Sequence, residues 1–240
     1  MDTCPHCQSV KIVKNGKTWY GKQSYKCHSC KRQAVEREAV TLQLEVLLKR
    51  LLLERLSLRA IARVLGVSLG WLIPRVKQQW QQVPKQLPLA QLEQAALDLY
   101  CLEADEMWSF VGAKDCPVWL WLAVERRTGL IVGFHIGERN EESALGLWLS
   151  IPEPLRKKAL VFTDDLAAYA SVLEKGQHQT VRMKQTTKIE RVNNTLRQRC
   201  SRLVRKALSF SKSWQNHFEA IRFFLTNYNF EKLANSSSLF

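Results

Sequence analysis

The sequence predicts an α+β chain of several domains: a small cysteine-stapled module, a pair of helices and a larger α/β domain. Three observations carry this. Two C-x2-C pairs stand within the first 30 residues, a leucine-rich stretch of helical period covers 42–80, and from residue 96 the pattern turns to β-type runs that later alternate with helical segments. The changes in pattern set boundaries of 1–40, 41–82, a linker at 83–95, 96–232 for the large domain and a tail at 233–240.

The 240 residues are 46% hydrophobic and hold no apolar run long enough to span a membrane. The start has Cys and Lys where a secretory signal would have a charged and then an apolar segment. A soluble protein of a reducing compartment is expected. The net charge of +14 is unevenly spread, with +11 over 1–90, −6 over 91–180 and +9 over 181–240. Basic flanks suggest a nucleic-acid partner. The acidic, apolar-rich middle argues against a simple RNA-coating protein.

In the first module, "CPHC" at 4–7 and "CHSC" at 27–30 are separated by 19 residues. Each pair aims two sulfurs at one point, and Cys4, Cys7, Cys27 and Cys30 together suit a closed tetrahedral zinc site. So short a module needs such a staple. Two disulfides are the other reading, disfavoured in a reducing compartment. The "WY" and "SY" pairs with Gly16 and Gly21 fit the short strands of a zinc ribbon. Cys101, Cys116 and Cys200 have no paired spacing.

Leu44, Leu47, Leu48, Leu51 and Leu52 form one helical stripe. In "LSLRAIARVLGVSLGWLIPRVKQQW", Ser57 caps a helix, Gly66 permits a turn, and a second helix starts near Ser68. This is a helix-turn-helix layout, whose second helix would present Arg75, Lys77 and the glutamines to DNA. Pro74 departs from it, since proline inside a helix costs about 3 kcal/mol and is expected to kink or shorten it. A plain helical hairpin is the alternative.

In the large domain, "ALDLYCLEADEMWSFVG", "PVWLWLAVERR" and "LIVGFHIGER" read as three antiparallel strands, and "NEESALGLWLSIP" as a helix capped by Asn140. "ALVFTDD" is a strand, "LAAYASVLEK" a helix, "HQTVRMK" a strand and 187–207 a long helix. The order βββαβαβα is that of a ribonuclease-H-like domain. There the first strand, ending near Asp105, lies beside the strand ending at Asp164 and Asp165, and the late helix brings Glu190 to the same point. Converging carboxylates repel unless cations lie between them, and hard oxygen donors suit Mg²⁺. Two such ions about 4 Å apart would serve phosphodiester transfer. Glu106 beside Asp105, and Asp165 beside Asp164, leave a one-residue ambiguity at each strand. On the late helix Ile189, Val192, Leu196, Cys200 and Leu203 are expected to be buried. Arg191, Arg197, Arg199, Arg202, Arg205 and Lys206 would hold phosphates. Glu190 could instead be a first-turn acid that complements the helix dipole.

These residues resemble the insertion sequence 1 family of transposases, within the DDE transposases and retroviral-type integrases. The resemblance covers roughly 1–230 and rests on five stretches in order: the cysteine module, "ARVLGVSLGWLIPRVK", "EADEMWSFVGAK", "FTDDLAAY" and "KIERVNNTLRQRCSRLVRKALSFSKS". It implies a bacterial, cytoplasmic and nucleoid-associated enzyme with Asp105, Asp164 and Glu190 as the catalytic, metal-binding triad. It further implies two Mg²⁺ (or Mn²⁺) and one structural Zn²⁺ as cofactors. The expected partners are double-stranded DNA of element ends and target, with at least a dimer formed to hold two ends. The expected reaction is hydrolysis that frees a 3′-hydroxyl, followed by its attack on target DNA. A zinc-ribbon transcription regulator explains residues 1–80 but not the carboxylates. A general nuclease shares the metal chemistry but would cut without joining.

Overall fold

The computed structural model of the chain describes residues 1–18, 21, 23–35, 42–89, 99–181, 186–204 and 209–237. It divides the chain into two units, Met1–Glu45 and Val46–Phe240.

The first unit is a three-stranded antiparallel sheet of β1 (Ile12–Lys17), β2 (Gln23–Cys27) and β3 (Gln33–Val35), with β2 in the centre. Its buried residues among those described are Cys4, Ser24, Tyr25 and Cys27, too little apolar surface to fold such a module unaided.

Helix α1 (Leu42–Leu52) runs across the division, and α2 (Leu58–Leu65) and α3 (Leu69–Gln82) follow in the second unit. Ser57 caps α2 by accepting from Ala60 N, and Ser68 caps α3 by accepting from Trp71 N. Gly66, at φ 65°, makes the left-handed turn between them. Contrary to expectation α3 continues through Pro74 for 14 residues. Leu72, Val76 and Trp80 bury its opposite face, and that packing outweighs the lost backbone bond.

Five strands follow: β4 (Tyr100–Phe110), β5 (Pro117–Glu125), β6 (Ile131–Gly137), β7 (Ala159–Thr163) and β8 (His178–Thr180). They form one mixed sheet in the order β6-β5-β4-β7-β8, with β4–β7 and β7–β8 parallel and the other pairs antiparallel. The helices are α4 (Glu141–Ser150), α5 (Glu153–Arg156), α6 (Ala167–Ala170), α7 (Thr187–Arg199) and α8 (Trp214–Ser237). Asn140 caps α4 by accepting from Ser143 N. On one face of the sheet, Met107, Leu120 and Leu122 pack with Ile189, Val192, Leu196, Phe223 and Phe224, and with Ile61, Leu72, Val76 and Trp80 of the first helices. On the other, Leu102, Ala104, Trp121 and Ala123 pack with Ala144, Leu147 and Tyr169. Buried Arg222 of α8 donates to the carbonyls of Trp80, Val83 and Pro84, tying down the end of α3. No helix among the described residues is long and apolar enough to cross a membrane.

Several elements differ from expectation. β4 does not end near Asp105. Its antiparallel pairing with β5 carries it to Phe110, while its parallel pairing with β7 stops at Glu103. The helix expected over 187–207 ends at Arg199. Cys200 is extended, and a 3₁₀ turn at Ser201–Leu203 follows. All five residues expected to be buried there are buried. A spacing of three or four residues is satisfied equally by a helix and by a helix followed by a turn. The helix expected in "LAAYASVLEK" is only the four residues of α6. Residues 83–89 are irregular, with Leu89 buried, and the rest of the expected linker, 90–95, lies outside the described residues. The chain expected to become a tail at 233 remains helical to Ser237.

Candidate active site and metal centre

The sheet creates the acidic site through a mismatch in strand length. β7 ends at Thr163, and the chain leaves the sheet at Asp164, while β4 runs on with Asp105 and Glu106. One oxygen from each of Asp105, Glu106 and Asp164 lies within 4.8 Å of the others. Strand alternation sends Asp105 to the α7 face and Glu106 to the opposite one. Asp105 Oδ1 accepts from the Glu106 amide at 2.9 Å and Oδ2 from Asn193 Nδ2 of α7 at 2.6 Å. Glu106 Oε1 accepts from Arg139 Nε at 2.9 Å and Nη2 at 2.6 Å, and Oε2 from the Tyr169 hydroxyl at 3.3 Å. The Arg139 guanidinium lies 5.0 Å from the centre of the Trp119 ring.

Burial pushes the Asp105 carboxyl up to about 6, and the charges of Glu106, Asp164 and Glu190 push the same way, against the Glu106 amide that donates to it. Glu106 is also raised, chiefly by burial, despite Arg139. A pocket of carboxylates with one guanidinium is short of positive charge, and its hard oxygen donors fit Mg²⁺ or Mn²⁺. Asp164 is exposed and accepts from Leu166 N at 3.2 Å, while Asp165 is outside the cluster. Glu190 is exposed on the first turn of α7, three residues before Asn193. Its charge is felt at Asp105, but it is not one of the three grouped carboxylates.

What places α7 is Glu103, a residue the sequence reading passed over. The α7 N-terminus has no side-chain cap of its own, as Thr186 supplies none. Glu103 is 1% exposed, accepts from Ile189 N at 2.8 Å, and is paired with Arg126 at 2.8 Å. It caps the helix from the neighbouring strand and favours the positive end of its dipole. Because Glu103 and Asp105 share a strand face, that bond also sets where Glu190 and Asn193 stand. Asn193 was missed, because the spacing from Glu190 pointed to Asn194 and Arg197, whereas Asn193, one residue earlier, is the one that reaches Asp105. Arg139 and Tyr169 were missed too, since nothing local ties them to Glu106.

In the first unit, the sulfurs of Cys4, Cys7, Cys27 and Cys30 also lie within 4.8 Å of one another. The two knuckles are built alike. Cys4 N donates to Ser9 O, and Cys27 N to Arg32 O. The residue after each second cysteine, Gln8 at φ 56° and Lys31 at φ 60°, is left-handed. The Cys30 and Ser29 amides lower the Cys27 thiol and favour a thiolate there, while Cys7, beside the other three sulfurs, is raised, so the first negative charge of the cluster falls on Cys27.

The basic residues divide. Lys77 and Arg191 are exposed. Arg75 donates to Trp71 O, and its guanidinium lies 3.9 Å from the centre of the Trp71 ring. Arg197 is half-buried and reaches Leu203 O at 3.5 Å. Arg199 pairs with Glu231 at 2.8 Å and Glu54 at 3.5 Å. Arg202 turns inward to Ser209 O and Phe210 O at 2.7 and 3.2 Å. Arg205 and Lys206 lie outside the described residues. Arg59 and Arg63, exposed one turn apart on α2, were overlooked in the sequence although the i, i+4 spacing marks them.

The family model described as IS1 transposase matches residues 98–231. The insertion element iso-IS1n protein InsB of Shigella dysenteriae is 38% identical over 128 residues, which is 53% of this chain and 95% of that protein. The insertion element IS1 2 protein InsB of Escherichia coli K12 is 39% identical over 127 residues, 53% of this chain and 74% of that protein. The matched span contains Asp105, Asp164 and Glu190. With the match running from just before β4 into α8, over more than half of its length, the chain belongs to the IS1 transposase family.

Proposed function

We propose that the protein is a DNA transposase that binds the terminal inverted repeats of an insertion sequence, cleaves at the 3′ ends and joins them to target DNA. The meeting of Asp105 and Asp164 at the end of a parallel strand pair, under α7, carries this reading. The strand order and the helices on both faces support a ribonuclease-H-like catalytic domain. The capped α2–Gly66–α3 unit supports a helix-turn-helix, and the four-sulfur cluster a zinc ribbon.

Asp105 and Asp164 would hold the catalytic cations, and Glu190 would complete the set from α7. Two Mg²⁺ or Mn²⁺ ions, when bound, supply stabilisation of charge on the attacking and leaving oxygens of phosphodiester transfer. Asn193 fixes the Asp105 carboxylate. Arg139 and Tyr169 hold both oxygens of Glu106, which keeps it beside the site as a fixed charge. Arg191 and Lys77 contact phosphates. Two ends must be held at once, so the working form is at least a dimer.

The test is a labelled duplex from the DNA flanking the gene, incubated with purified protein and Mg²⁺. Wild type should nick at the 3′ end and give joined products. Asp105→Asn, Asp164→Asn and Glu190→Gln should bind but not cut, and Glu106→Gln should keep more than a tenth of the cutting. Cutting by all three of the first variants would remove the catalytic assignment. Sequence-specific binding without chemistry in wild type would favour a regulator.

A further inference from the structure

The first half of the outward face of α3 carries two residues that weaken a helix. Gly70 and Pro74 are of the two poorest helix-forming types, and they stand four apart on the exposed side. Pro74 has no N–H, so the Gly70 carbonyl is left without its i+4 donor. Nothing inside the protein demands the glycine. A Cβ there would meet only Ser68 Oγ, at 3.9 Å, and Gly70 is not among the glycines of positive φ. Ile73, between them, is 41% exposed. A helix face with no side chain at one position, a free acceptor there and apolar groups beside it is suited to a partner that approaches the backbone closely.

The surroundings say what that partner is. No Asp or Glu occurs between Glu54 and Glu93. Arg59 and Arg63 on α2, and Lys77 one turn further along α3, are exposed on the same helical pair. Arg75 is drawn aside onto Trp71, leaving the centre uncharged. A positive rim around a small, uncharged, acceptor-bearing centre complements duplex DNA, with phosphates at the rim and base edges at the centre.

We propose that Gly70, Ile73 and Pro74 form the base-reading face of α3. The free Gly70 carbonyl accepts from the exocyclic amino group of an adenine or cytosine in the major groove, and Ile73 and the Pro74 ring lie against a thymine methyl. This rests on the DNA-binding reading above. It assigns specificity to a backbone carbonyl and to the absence of a side chain, and affinity to the surrounding cations.

The experiment measures, on the full chain, thermal unfolding and binding to the terminal-repeat duplex and to a scrambled duplex at several salt concentrations. Gly70→Ala and Pro74→Ala should both raise the unfolding midpoint, by about 2–4 °C for the glycine. Both should lower the ratio of specific to scrambled affinity at least tenfold and leave the salt slope unchanged. Cys116→Ser, at an exposed cysteine between β4 and β5, should change neither. Duplexes carrying purine for adenine, or 2-pyrimidinone for cytosine, one position at a time, should reveal one amino group whose removal weakens wild type. That same removal should have no effect on Pro74→Ala, where the Gly70 carbonyl regains its helical donor. Stabilised variants with undiminished discrimination, or an amino group whose loss affects both proteins equally, would overturn the proposal. A wild type that does not distinguish the two duplexes would remove the DNA-binding reading itself, a result separate from either.

Discussion

Asn193 donates to Asp105 through Nδ2, and its Oδ1 is buried without a hydrogen-bond partner. A buried amide held by one end is a weak contributor to stability and a strong one to orientation. Asn193→Ala should therefore lower end cleavage by about 10–100-fold, with weaker Mn²⁺ binding in titration. Its melting temperature should stay close to that of wild type. Asn193→Asp should be worse, since it adds a carboxylate beside three others. Cleavage by Asn193→Ala within twofold of wild type would mean that Asp105 is held by the strand alone. Helical spacing from Glu190 points to Asn194 rather than to Asn193. That Asn193 reaches Asp105 depends on Glu103 anchoring the helix from β4, a bond between residues 86 apart in the chain.

At the level of elements, the basic stretch after Glu190 divides by direction. Arg191 projects from α7 into solvent, whereas Arg202, beyond the helix end, folds back onto two carbonyls, and burial lowers its pKa. Arg191→Ala should reduce the slope of log K against log salt by about one, with unchanged stability. Arg202→Ala should leave the slope alone and cost about 2–3 kcal/mol, because two carbonyls lose a donor. Equal changes of slope in both variants would show that the inward geometry is not kept in solution. The cysteine module tests separately. Cys27→Ser should lose bound zinc on metal analysis and unfold residues 1–35, as the sheet has almost no core of its own. Cys116→Ser, at an exposed cysteine, should keep full zinc content. Undiminished zinc in Cys27→Ser would exclude the four-sulfur site.

Across the whole molecule, α8 is the element on which the second unit closes, and it carries buried polar groups. His217 is fully buried, with Nε2 3.4 Å from Ser109 Oγ and Nδ1 unpartnered. Burial, helped by the Arg202 charge, lowers its pKa from 6.5 to about 4. Between those values the unfolded chain binds the extra proton, so stability rises with pH there. The contribution is complete above about pH 6.5 and is lost as the pH falls toward 4, on the order of 3 kcal/mol in total. Urea unfolding from pH 7 to pH 4 should show that decline, and His217→Gln should flatten it. An identical acid limb in the variant would place the titrating group elsewhere.

The amino-acid sequence by itself determined the elements whose cause is local. The paired cysteines announce a four-sulfur cluster because the members of each pair are adjacent in the chain. Ser57, Gly66, Ser68 and Asn140 mark helix ends because caps and turns are made by neighbouring residues. The pairs Asp105–Glu106 and Asp164–Asp165 could be found because each follows a β-type run, but which member of each pair serves the site stayed open. The tertiary structure alone decided which side of a strand opens onto the site. β7 stops at Thr163 while β4 continues, so Asp164 rather than Asp165 joins Asp105, and Glu106 is taken up by Arg139 and Tyr169. It decided too that a run of arginines is partly scaffold and that α8 closes the core. Those outcomes depend on pairing between distant residues, whose free energy no local pattern of charge or apolar spacing records.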